Sequence, residues 1–357
     1  MLTFVFVHGL SGWGSYDSAY SRMPYWGMRG GDLMAFLQKK GYDCYAASVS
    51  PAGSAWDRAC ELYAQLSGKT VDYGESHSRR FGHARFGRDF SSCPLIPGGM
   101  GERRLVLIGH SFGGTTARLF AELYARGDEE ERKTADPSPF FLSGAENPVR
   151  ALVTLASPLN GTTAYDLFED EGFQPDRVKV PWWSVRMAGL MSRGLRSKGA
   201  SHHPQDCAAF DMHVDNALAL NRRMPPLPDT YYFSVPCCST VRHEDGTCRP
   251  DIRKTEPLFV QRSYQIGCWQ GRTKGGFQIG EEWLENDGLV NTCSAAAPLD
   301  APKVRWDGKR AVPGVWNILP TFEGDHMSLQ GGLMRKRDIR PFFLNLLEMI
   351  SLLPDPS

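Results

Sequence analysis

The sequence predicts an α/β fold, a mostly parallel central sheet with helices on both faces, and three observations carry that prediction. Short runs of β-branched and aromatic residues alternate with helix-periodic stretches along the 357 residues, the pattern of strands joined by crossover helices. One run, Leu105-Val106-Leu107-Ile108, leads straight into Gly109-His110-Ser111-Phe112-Gly113 and then into a helical stretch. Hydrophobic residues make up 41% and charged residues 22%, which supports a sizeable core and argues against disorder. The length fits two domains or one large α/β domain with insertions. We read a single domain, 1–357, with insertions at 67–103 and 162–206.

In chain order, strands are expected near 2–7, 43–49, 104–109, 151–155, 231–235 and 315–319. Leu2 to Val7 is the longest strongly apolar run, far short of the ~20 residues that span a bilayer. Helices are expected over 31–40, 54–66, 111–126, 207–223 and 338–352. In the second, Ala55, Ala59, Leu62 and Leu66 form one apolar stripe. Ser54 with Asp57 three positions on resembles a capping box, and Gly127 follows the third helix where a C-terminal glycine belongs. Residues 67–103, rich in Gly, Arg and His, read as a long structured loop. Residues 127–148, with an acidic run from Asp128 to Glu131, read as a solvated excursion. Residues 162–206, with Pro181-Trp182-Trp183 and a Met-rich stretch from Met187 to Met191, are where a substrate cap is expected, because long loops inside a compact domain are usually functional.

Charge excludes some partners. Lys plus Arg number 40 and Asp plus Glu number 40, so the net charge is zero and no electrostatic footprint for nucleic acid or an anionic membrane is present. Nine cysteines are scattered without a Cys-x-x-Cys pair, which disfavours both a disulfide framework and a thiolate metal site. No basic segment followed by an apolar core and a cleavage site opens the sequence, which predicts an intracellular chain unless a signal has been removed ahead of it.

The Gly-x-Ser-x-Gly run makes Ser111 a candidate nucleophile. A nucleophile on a tight strand-to-helix turn has strained dihedrals, and glycines two before and two after it keep the crossing backbone clear of a Cβ. The helix N-terminus behind Ser111 favours developing negative charge. A serine hydroxyl needs a base, and the base needs a partner to hold its tautomer. In this arrangement the chain order is Ser, acid, His. His326, in the polar loop Glu323-Gly324-Asp325-His326 after the last expected strand, stands where the base belongs; His202, His203, His213 and His243 lie elsewhere. Asp287, in Asn286-Asp287-Gly288, is the preferred acid. Asp325 is the rival, but a residue adjacent to the histidine has difficulty turning its carboxylate toward that ring. Two backbone amides should hold an oxyanion, those of Leu10 and Phe112.

Five stretches then carry a resemblance: His8-Gly9-Leu10-Ser11-Gly12-Trp13-Gly14, Tyr25-Trp26-Gly27, Trp56-Asp57-Arg58-Ala59-Cys60-Glu61, Gly82-His83-Ala84-Arg85-Phe86-Gly87-Arg88 and Trp283-Leu284-Glu285-Asn286-Asp287-Gly288. Together they resemble the zinc-containing lipases of thermophilic bacilli and staphylococci, with matches from residue 3 to about 346. The resemblance implies an α/β-hydrolase fold and hydrolysis of a carboxylic ester or acylglycerol, lipase or esterase fashion. Ser111, Asp287 and His326 fall at the family's triad positions, and Leu10 and Phe112 at its oxyanion positions. It also implies a structural zinc held by two Asp and two His, of which Asp57, His77 and His83 match three. Met191 stands where the fourth ligand should be, so Asp206, His202 and Asp211 are candidates to replace it. On the residues alone, Asp57 beside Arg58 and Glu61 reads as a solvated charge. The family's calcium ligands follow the histidine, and this chain has Ser328 and Leu333 there, so no calcium is expected. The cap is shorter than in the family; Trp182, Trp183 and Met187 either line an acyl pocket or are ordinary packing. A shorter cap predicts weaker interfacial activation and a preference for shorter or bulkier esters. Two other functions fit the same residues: acyl transfer to an alcohol or amine, and a non-catalytic binding protein that kept the fold.

Overall fold

Seven strands form one sheet in the order β8-β9-β7-β6-β5-β1-β2, and every neighbouring pair is parallel. The computed structural model describes residues 2–144, 146–173 and 203–355. The strands are β1 (Leu2–Val7), β2 (Asp43–Ala47), β5 (Arg104–His110), β6 (Val149–Leu155), β7 (Tyr231–Val235), β8 (Lys303–Arg305) and β9 (Trp316–Ile318). Alternation along the central strands splits the core in two. Val5, Val7, Leu105 and Leu107 point to one face, and Phe4, Phe6, Val106 and Ile108 to the other, as a period of two requires. The first face is covered by α2 (Ala55–Ser67) and α4 (Phe112–Arg126), the second by α1 (Leu33–Lys39) and α7 (Arg340–Ser351). Strands buried on both sides read as nearly continuous apolar runs, which is why β1, β5 and β6 are so visible in the sequence.

Several expectations need correction. The strand near 43–49 stops at Ala47. Residues 67–103 are not loop throughout. They contain β3 (Thr70–Asp72) paired antiparallel with β4 (Phe86–Asp89), and between them α3 (Glu75–Phe81). These elements are too short for periodicity to register. The excursion 127–148 is anchored rather than solvated: Phe140 and Phe141 are buried, and the Glu131 carboxylate accepts from the Ser76 and His77 amides at 3.1 and 2.7 Å, satisfying the N-terminus of α3. The helix expected over 207–223 is two, Ala208–Asp211 and α5 (Val214–Arg223). The break comes from elsewhere in the chain, because the Asp166 carboxylate accepts from both the Val214 amide and His213 Nδ1, each at 3.1 Å. Edge strand β8 and helix α6 (Val260–Cys268) were not anticipated; β8 is exposed along its length and so has no apolar pattern to read. No helix among the described residues is long and apolar enough to cross a membrane.

Candidate active site and metal centre

At the C-terminal edge of the sheet β5 runs directly into α4, and Ser111 is the turn between them. Its backbone sits at φ 55°, ψ −132°, a left-handed position costly for any residue with a side chain. The glycines make the turn possible. A Cβ on Gly109 would lie 2.4 Å from Gly114 N, and one on Gly113 would lie 2.2 Å from the Val7 carbonyl of β1.

His326 reaches this serine from the loop after β9. Its Nε2 lies 2.9 Å from Ser111 Oγ and its Nδ1 lies 2.8 Å from Asp287 Oδ2. The other Asp287 oxygen accepts from the Leu289 and Val290 amides at 3.0 and 2.8 Å, and the His326 amide donates to the Asp287 carbonyl at 2.8 Å. A carboxylate fixed on one oxygen by the backbone can present only the other to the ring. All three residues are buried. Asp325, the rival acid, turns elsewhere: it accepts from the Glu256 and Met327 amides and from Ser328 Oγ.

Leu10 follows β1 in a loop held from below. The Gly9 carbonyl accepts from His8 Nδ1 at 2.8 Å and from the Gly12 amide at 3.1 Å. Pinning that carbonyl orients the Leu10 N–H of the same peptide to the opposite side, because the unit is planar and trans. His8 Nε2 accepts from Val49 N at 3.2 Å, and burial, with Arg58 nearby, pushes its pKa down to about 3, so the ring is neutral with its proton on Nδ1. The fully buried Arg58 donates to the carbonyls of His8 and Ser50 and to Thr116 Oγ1. Phe112 N is the first amide of α4, one of the donors no helix satisfies internally. Neither His8 nor Arg58 was assigned a role from sequence.

A second cluster gathers Asp57 on α2, His77 on α3, His83 just after it, and Asp206. Asp57 and Arg58 are fully buried and Glu61 nearly so, which corrects the reading of a solvated helix face. One ligand atom from each of the four cluster residues lies within 4.8 Å of the others. His77 Nε2 is 3.2 Å from Asp57 Oδ1 and 3.4 Å from Asp206 Oδ1, and His83 Nε2 is 3.4 Å from Asp206 Oδ2. Two ligands ~2.0–2.1 Å from a tetrahedral ion stand about 3.3–3.4 Å apart, so these separations fit a shared cation. Both Asp57 oxygens and the Nε2 atoms of His77 and His83 are buried without a well-formed hydrogen bond, and burial pushes the Asp57 carboxyl upward. His83 Nδ1 donates to the Ala84 carbonyl at 2.9 Å, leaving Nε2 as the free lone pair. His77 is stacked on Trp56 at 5.0 Å. Of the three candidates for the fourth position, the structure brings in Asp206. Asp211 is occupied, accepting from Ala55 N at 2.7 Å. His202, like the pocket candidates Trp182, Trp183 and Met187, lies outside the described residues. The cluster is able to hold a structural metal.

Residues 2–178 match the family model described as Lipase-like, C-terminal domain. Lipase 2 from Staphylococcus aureus is 32% identical, with 92% of this chain and 50% of that protein covered; the chain spans about half the length of the curated relatives it matches. Among solved structures, EstA from Clostridium botulinum aligns with a TM-score of 0.84 at 28% identity, covering 100% of this chain and 88% of that one. Lipase 1 from Pelosinus fermentans aligns at 0.78 with 30% identity, covering 99% of each. With an α/β-hydrolase sheet, a strained serine at the end of β5 and relatives of this kind, the chain belongs to the lipase family represented by the staphylococcal lipases and Pelosinus lipase 1.

Proposed function

We propose that this chain hydrolyses carboxylic esters, acylglycerols among them, through an acyl-enzyme formed on Ser111. The observation that carries the reading is the single imidazole of His326 spanning Ser111 Oγ and Asp287 Oδ2 at 2.9 and 2.8 Å. Ser111 Oγ attacks the ester carbonyl carbon while its proton passes to His326 Nε2. Asp287 holds Nδ1–H and stabilises the imidazolium. The carbonyl oxygen, now negative, is received by the Leu10 and Phe112 amides, and losing one such donor typically costs ~10²–10³ in rate. Collapse expels the alcohol, which takes its proton from His326, and water repeats the sequence on the acyl-enzyme. Two of the three relatives named above are lipases, which supports an ester substrate.

The metal suited to two imidazole nitrogens and two carboxylates in a closed four-ligand cluster is zinc in a structural role. When bound, it supplies coordinate bonds that tie α2, α3 and the segment before Ala208 together. Asp57, His77, His83 and Asp206 would hold it, and none of them takes part in the hydrogen bonds at Ser111.

A fluorophosphonate probe and a p-nitrophenyl butyrate assay test the reaction. The probe should label the parent protein, and Ser111→Ala should abolish labelling and lower the rate by about 10⁶, as removal of a triad serine does elsewhere. A Ser111→Ala protein that turns over at the parent rate overturns the reading.

A further inference from the structure

The Tyr25-Trp26-Gly27 stretch and the histidine inside Gly109-His110-Ser111 have no part in the mechanism above, yet they meet beneath it. The Gly9 amide donates to Tyr25 Oη at 3.1 Å, Tyr25 Oη lies 2.5 Å from His110 Nδ1, and His110 Nε2 lies 2.9 Å from the His326 carbonyl oxygen. With its amide turned so that oxygen and nitrogen each face a complementary group, Gln330 bridges the same pair, the oxygen accepting from His110 Nε2 at 2.8 Å and the nitrogen donating to the His326 carbonyl at 3.0 Å. Tyr25 and His110 are both buried.

The chain has one direction. The phenol accepts from Gly9, so its own hydrogen is free for His110 Nδ1. A neutral imidazole that accepts on Nδ1 carries its proton on Nε2, and that proton points at His326 and Gln330. Burial, and then the proximity of His326, holds His110 well below an ordinary histidine pKa, so the ring stays neutral. Each end of the chain is one residue from a reacting part, or on it. Gly9 precedes Leu10, His110 precedes Ser111, and the accepting carbonyl belongs to His326. The phenol ring is seated edge-on against Trp13 and Trp26 at 5.6 and 5.4 Å, so its hydroxyl has little freedom to turn away.

We propose that Tyr25 and His110 are positioning residues, whose oriented hydrogen bonds lock the loop that carries the oxyanion amide, at the peptide just before it, and the general base to one another across the nucleophile. The proposal rests on the ester-hydrolase reading. Without the clasp, Ser111 keeps its elbow, but the Leu10 amide and the His326 ring are free to drift from the geometry the tetrahedral intermediate needs.

The test compares Tyr25→Phe, His110→Gln, His110→Leu and the Tyr25→Phe/His110→Gln double variant on p-nitrophenyl butyrate. Rates are expressed per site titrated with the fluorophosphonate, so that only folded molecules count. Inhibition by an alkylboronic acid, which forms a tetrahedral adduct on the serine, is measured alongside. Tyr25→Phe keeps the ring and loses the hydroxyl; it should lower kcat and weaken boronate inhibition by about tenfold each, the scale of one buried hydrogen bond, with KM within about twofold. His110→Gln retains a donor toward the His326 carbonyl and should keep several-fold more activity than His110→Leu, and the double variant should lose little beyond its worse single. The proposal is overturned if Tyr25→Phe matches the parent in kcat and boronate inhibition, if KM rises while boronate inhibition is unchanged, or if the effects multiply. Should Tyr25→Phe fail to fold, the Gln and Leu variants decide by the same criteria: equal kcat and boronate inhibition in the two overturns it. An inactive Ser111→Ala beside an unimpaired Tyr25→Phe sinks the clasp alone; an active Ser111→Ala sinks the hydrolase reading.

Discussion

Replacing His83 with alanine removes one of four ligand atoms that face a common point, and the consequence should be thermal rather than catalytic. With the cation lost, the two carboxylates lose the positive charge they face, and burial already pushes the Asp57 carboxyl up. An ion present at 1,000 times its dissociation constant stabilises the folded state by about 4 kcal/mol. At about 2.1 cal/mol/K per residue, a chain of 357 residues unfolds with about 0.75 kcal/mol/K, so the loss amounts to about 5 °C in Tm. Elemental analysis of parent protein should find about one zinc per chain. Thermal melts with and without dipicolinic acid should show the same downward shift as His83→Ala, whose own Tm the chelator should leave unchanged. The hydrolysis rate at 25 °C should fall by less than about threefold, because none of the four ligands bonds to Ser111, His326 or Asp287 and only stability is linked to the ion. Parent protein free of stoichiometric metal, with His83→Ala melting at the parent temperature, would overturn the metal assignment.

Three more outcomes follow from distances at the elbow and beneath it. Gly113→Ala places a Cβ 2.2 Å from the Val7 carbonyl; the backbone must move, at a cost of about 3 kcal/mol, and a lower Tm with weak fluorophosphonate labelling should report it. Asp287→Asn should reduce kcat by about 10⁴, as loss of the orienting carboxylate does in serine hydrolases, while far-UV circular dichroism stays that of the parent; a hundredfold smaller effect would argue for another acid. His8, held at about 3 by burial against an ordinary histidine value of about 6.5, makes stability fall with acid. Between those values the unfolded chain binds a proton that the folded one refuses, so the stability present above about pH 6.5 is lost at about 1.4 kcal/mol per pH unit on the way down. His110 acts in the same direction. The buried Glu61 and Asp211 carboxyls, pushed up to about 7 by burial, act in the opposite one, so His8 is read as a difference: in urea unfolding between pH 6 and 5 in chelator, the parent should lose about 1.4 kcal/mol per pH unit more than His8→Asn does, and parallel profiles for the two proteins contradict the assignment.

The elbow was legible in the sequence because everything it needs is contiguous: a buried strand, two glycines at the crossing points with Gly114 N and the Val7 carbonyl, and a helix. The strands buried on both faces were legible for a similar reason, since their apolar runs carry the pattern without help from a partner. Choices among neighbours were not. Asp287 and Asp325 compete on equal terms along the chain, and only the direction of each carboxylate separates them, one toward His326 and the other toward Glu256 and Ser328. Asp206 and Asp211 are five positions apart; one faces His77 and His83, the other caps α2. The split of 207–223 depends on Asp166, a side chain more than 40 residues earlier.

Residue order therefore settles what a few consecutive peptides must do, since backbone strain, glycine clearance and side-chain alternation act over three to eight positions. Which distant groups become partners is a property of register and loop path. Tyr25, His110 and His326 meet only because β1 and β5 are adjacent strands and the loop after β9 crosses above them. Hydrogen bonds fade within a few tenths of an ångström, so pairings of that kind emerge only once the chain is folded.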